Sequence, residues 1–65
     1  MKTYVLEENS HPVKRFEKKH EAIDVLFREQ RAVLYQRNAP KFRLFEFDDG
    51  KFIGEVHVPR GYEEK

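Results

Sequence analysis

Asp49-Gly50, set between two runs rich in β-forming residues, constrains the fold of this chain more than any other pair. A two-residue type I′ turn needs positive φ at both central positions, and Asp-Gly supplies that at low cost. Residues 41–48 and 51–58 are therefore expected to form a hairpin. A regular ladder from the turn pairs Phe47 with Phe52, Phe45 with Gly54 and Arg43 with Val56, and places them on one face with Val58. The opposite face then carries Phe42, Leu44, Ile53 and His57 among Glu46, Asp48, Lys51 and Glu55.

The N-terminal segment reads in a similar way. Residues 2–8, KTYVLEE, favour a strand, with Tyr4 and Leu6 alternating with Thr3 and Val5. Asn9-Ser10-His11-Pro12 is a turn cluster, and residues 13–16 form a second short strand. Between the hairpins, residues 17–37 contain neither Gly nor Pro. Ile23, Leu26, Phe27, Val33 and Leu34 fall on one stripe at helical spacing, and Asn38-Ala39-Pro40 offers a stop. One helix over about 18–37 is expected. A strand over 32–37 is the competing assignment, since Val-Leu-Tyr suits one, but residues 29–32 carry no turn chemistry.

The resulting order is hairpin, helix, hairpin (ββαββ). The expected class is α+β: a four-stranded, mainly antiparallel sheet with one helix packed on one face. Residues 1–58 would make a single domain and residues 59–65 a flexible tail. In layout this order resembles the small immunoglobulin-binding domains of streptococcal surface proteins, a likeness of architecture that transfers no residue. The stretch VKRFEKKHEAI, Val13 to Ile23, is similar to the strand-then-helix step of the arm-binding domain of phage integrases. The shared features are a strand ending in Phe, Lys-rich residues, then Glu-Ala opening a helix. The stretch covers 11 of 65 residues and lacks the Ser or Thr cap that usually begins such a helix.

Composition narrows the function classes. With 65 residues the core must be thin, and small domains lean on disulfides, a metal or a partner. The chain has no Cys, which removes disulfides, thiolate metal sites and thiol catalysis. Six Phe and three Tyr argue for a folded domain despite a charged fraction of 38%. No apolar run approaches a membrane span and the first residues lack a signal-peptide core, so a cytoplasmic protein without membrane contact is expected. His11, His20 and His57 are scattered, and only His20 and Asp24 share a helix face, too few for zinc. Asp48-Asp49-Gly50 lacks the spacing of a calcium loop. Phosphate loops and nucleophile elbows are missing from the sequence. The expectation is a non-enzyme with no cofactor, no metal and no small-molecule substrate.

Charge and apolar patterning point to partners instead. Lys14 to Arg43 contains nine basic and four acidic residues, a balance of +5, while the flanks together carry −4. Turning the helix stripe inward leaves Val25, Arg28, Ala32 and Tyr35 on an outer helix face. The uncovered sheet face is expected at Phe42, Leu44, Ile53 and His57, where contiguous apolar groups would mark an interaction site or dimer interface. The reading is a small binding or regulatory protein that self-associates or modulates another protein, as small phage accessory proteins do. The alternative is a nucleic-acid-binding domain using Lys14, Arg15, Lys18, Lys19 and Arg31.

Overall fold

Two tight turns of positive φ set the sheet. Asn9 and Ser10 sit at φ 52° and 70°, Asp49 and Gly50 at 49° and 85°. Asn and Asp tolerate this region, and glycine enters it freely. The computed structural model describes residues 1–63. In chain order it contains β1 (Lys2–Glu8), β2 (His11–Phe16), α1 (Lys19–Ala32), β3 (Phe42–Asp48) and β4 (Lys51–Val56). The strands form one antiparallel sheet in the order β2-β1-β3-β4, with α1 packed on one face. The ββαββ arrangement and the α+β class are as the sequence implies.

The first turn also anchors the second hairpin. The Asn9 N–H donates to the Lys41 carbonyl at 2.8 Å, and the Lys41 N–H donates to Asn9 Oδ1 at 2.9 Å. Asn9→Ala is expected to lose the side-chain bond and strain the positive φ, at about 2 kcal/mol. Asn9→Gly relieves the strain and should cost about 1 kcal/mol, a difference that paired urea titrations would resolve. Strand β2 begins earlier than the sequence suggests, at His11, because only Asn9 and Ser10 are needed to turn the chain. Pro12 is tolerated because β2 is an edge strand.

The sheet departs from a regular ladder at two places. Leu6 pairs with Lys14 but Glu7 with Pro12, which leaves Val13 as an extra residue. Phe47 pairs with Phe52 as expected, but Glu46 then pairs with Gly54, Phe45 with Glu55 and Leu44 with Val56. Ile53 is the extra residue of this second bulge. A bulge shifts every pair beyond it by one, and a shift of one residue exchanges the faces. Val56 therefore joins Leu44 beneath the helix, while Phe52 stays with Phe45 and Phe47.

The core is Tyr4, Leu6, Phe16, Leu44 and Val56 from the sheet against Ala22, Ile23 and Leu26 from the helix. Val25, Phe42, Val58 and Tyr62 pack around it, half-buried. Leu44 is 0% exposed, which corrects its placement on an open face. Past the helix, Lys2 Nζ pairs with Glu46 Oε2 at 3.1 Å on the same side of the sheet. That hydrogen bond raises the Lys2 pKa above its usual 10.5. The contribution of this exposed pair is complete below that value and lost as pH rises through the raised folded pKa.

The helix ends at Ala32, not near residue 37, and residues 32–37 are not a strand either. Fourteen helical residues span about 21 Å, close to the roughly 23 Å of a seven-residue strand. Further turns would run beyond the sheet with nothing to bury. Residues 33–35 instead form turns, with Leu34 N–H donating to Arg31 O and Gln36 N–H to Val33 O. Leu34 is exposed, and the inward stripe is Ala22, Ile23 and Leu26. Of the expected tail, residues 64–65 lie outside the described residues. Within the described part, Tyr62 folds back onto Phe27 of the helix, ring centroids 5.3 Å apart.

The helix start carries no side-chain cap: Lys18 is the N-cap residue, with extended φ and ψ. Glu21 already occupies the third helical position. Lys18→Ser would complete a capping box and remove a cation from the positive end of the helix dipole. The variant is expected to gain about 1 kcal/mol, a rise of roughly 4–8 °C in the thermal midpoint.

Candidate interaction surface

With α1 on one side, the other side of the sheet is uncovered among the described residues. Its residues follow from the register. Across β1 and β3, Glu7 stands opposite Arg43, Val5 opposite Phe45, and Thr3 opposite Phe47. On the outer strands, Arg15 of β2 stands opposite Val5, Glu55 of β4 opposite Phe45, and Phe52 of β4 opposite Phe47. The Phe52 ring lies 5.9 Å from that of Phe45 and 5.8 Å from that of Phe47, both inclined. Such edge and tilted contacts suit aromatic quadrupoles and hold the three rings as one ridge.

The ridge is lopsided. Phe52, on the edge strand, is 60% exposed and stands proud. The same face sinks into a hollow of about 350 Å³ that runs from Arg15 of β2 across Thr3 and Val5 to Phe47 and Gly50. The charges are also divided: Arg15 lies at the β2 side and Glu55 at the β4 side of one row, with Glu7 and Arg43 facing each other in the next. Glu55 approaches His57 Nδ1 at 3.9 Å. The face is thus apolar at the centre, bordered by two cations and two anions.

The residues singled out from sequence are distributed differently. Phe42 is half-buried against the core, Leu44 is within it, and Ile53 and His57 are exposed at and beyond β4. These four do not form one surface. Val25 also packs against the core, while Arg28, Ala32 and Tyr35 are exposed, Tyr35 beyond the helix end. Among the basic residues, Lys14 lies over the Phe16 ring at 5.3 Å and Arg31 over the Phe27 ring at 5.5 Å. Lys18 and Lys19 are exposed at the helix start, and Arg15 alone reaches the open face. The sequence reading missed Phe45, Phe47 and Phe52 as surface residues. Gly54, an isolated glycine inside a strand, was the available signal for the bulge that moves Val56 to the helix side with Leu44.

A second hollow, about 400 Å³, lies by the helix end and is bordered by Gln30, Val33, Leu34, Pro40 and Phe42 among others. Among the described residues no three His, Asp or Glu side chains converge as a metal site would require. No described helix is long and apolar enough to cross a membrane. No protein-family model, curated protein or solved structure matches the chain.

Proposed function

We propose that this chain is a small non-enzymatic binding module that acts through protein contacts at its open sheet face. The observation that carries this reading is the ridge of Phe45, Phe47 and Phe52 on a face that no other described element covers. Aromatic side chains are what protein interfaces concentrate at their centres, with charges at the rim. The same pattern occurs here, with Arg15, Arg43, Glu7 and Glu55 around the rings. A regulatory role in the cytoplasm fits a domain of this size that offers one surface.

A nucleic acid is the other candidate, since Arg43 shares the face of Phe45 and Phe47. A strand-binding groove, however, needs net positive charge along the backbone track. Glu7 and Glu55 offset the two arginines, and Lys14 and Arg31 lie over rings outside the open face. An aromatic photocrosslinker at position 52 tests the choice in cells, with position 35 as the control. Protein adducts from position 52 and none from position 35 are expected. Nucleic-acid adducts from position 52, weakened by salt, would overturn the reading.

A further inference from the structure

We propose that the partner is a second copy of this chain, paired face to face through the open sheets about a two-fold axis parallel to the strands. This rests on the binding reading above and names its occupant. Such an axis keeps each row of the sheet over the same row of its mate but reverses the strand order. Arg15 of one copy then faces Glu55 of the other, and Glu55 faces Arg15. In the next row Arg43 faces Glu7, again reciprocally. Val5 and Phe45 exchange in the same way at the centre. Phe52, the exposed knob on the β4 side, falls on the Arg15 side of the hollow that Thr3, Val5, Arg15, Phe47 and Gly50 line.

A two-fold interface must be self-complementary, so each feature needs its complement on the same surface. The open face meets this requirement in charge, with two cations and two anions at exchanging positions, and in shape, with one knob and one hollow. Two sheets packed face to face stand about 10 Å apart with their mean strand directions within about 30° of each other, and an axis along the strands meets that condition.

One further observation favours this occupant. The edges of the sheet are unsuited to pairing: both outer strands carry a bulge, at Val13 in β2 and Ile53 in β4, and β2 adds Pro12. Bulges and proline are devices that block edge-to-edge addition, which leaves the face.

Charge reversal provides the test. Solution mass is measured by sedimentation from about 10 µM to about 1 mM for wild type, Arg15→Glu, Glu55→Arg and the double variant. Both side chains are on the surface, and circular dichroism checks that each variant folds. Wild type is expected to dimerise, each single reversal to weaken association at least about tenfold, and the double variant to restore it. A monomeric wild type overturns self-pairing, as do single reversals without effect or a double variant without rescue. If wild type is monomeric while position 52 still crosslinks to another protein, self-pairing falls and the binding reading stands. If position 52 takes up nucleic acid instead, both fall.

Discussion

Leu44→Ala is expected to remove most of the stability of this domain. Leu44 is 0% exposed, at the centre of the sheet on the side α1 covers and between Leu6 and Val56. Deleting a buried leucine side chain costs about 3–5 kcal/mol, because the lost transfer energy is compounded by a cavity. A chain of 65 residues has roughly 3–10 kcal/mol in total. With only eight buried residues in the core among the described residues, little can repack into the gap. Urea titration at 25 °C should show the variant with a midpoint close to zero denaturant. Had Leu44 lain on an open face, the same truncation would change stability by no more than about 0.5 kcal/mol. The experiment thus separates the two possible assignments of the faces.

Phe52→Ala is expected to do the opposite. Its ring touches only Phe45 and Phe47 among the aromatic residues, and most of it faces solvent. Losing those ring contacts should cost about 1 kcal/mol of stability. Association should suffer far more. A protruding aromatic group that fills a hollow has the character of a hot spot, whose truncation costs about 2 kcal/mol or more, a loss of at least roughly 30-fold. Sedimentation and urea titration on the same preparation would show a folded protein that no longer pairs. A folded Phe52→Ala variant with unchanged association would remove Phe52 from the interface.

The contrast between these two leucine and phenylalanine positions also shows what could be read in the sequence. Both hairpins were legible because Asn-Ser and Asp-Gly are turn chemistry, and turn chemistry acts locally. The helix was legible through Ile23 and Leu26, although its end was not. Residues 33–37 contain no breaker, and the length of the sheet beneath stops the helix at Ala32. The faces of the second hairpin were the least legible part. Strand β3 carries apolar residues on both sides, Leu44 on one and Phe45 and Phe47 on the other. Alternation within β3 cannot say which side the helix covers. The decision lies in one extra residue of β4, Ile53, which moves Val56 into register with Leu44. Bulges are tertiary accommodations of twist at a sheet edge, and only Gly54 hints at this one.

The candidate site inherited that ambiguity. Naming Phe42 and Leu44 as surface and treating Phe45 and Phe47 as core followed from a ladder without a bulge. With the bulge, Val56 joins Leu44 on the side the helix covers and Glu55 joins Phe45 on the other, where Arg15, Arg43, Glu7 and Glu55 surround a single aromatic ridge. The basic middle of the sequence does not become one basic surface, because folding divides it between the helix side and the open face.

The most direct measurement is an isotope-filtered nuclear Overhauser experiment on a mixture of labelled and unlabelled chains. Within one chain, Phe52 on β4 and Val5 on β1 are separated by the whole of β3, a distance of about 10 Å. The isotope filter passes only signals between two different chains, so contacts within one molecule do not enter. Cross-peaks between the Phe52 ring of one chain and the Val5 methyl groups of another are the expected result. Their absence at about 1 mM, whether the sample is monomeric or dimeric by mass, would contradict pairing of the open faces.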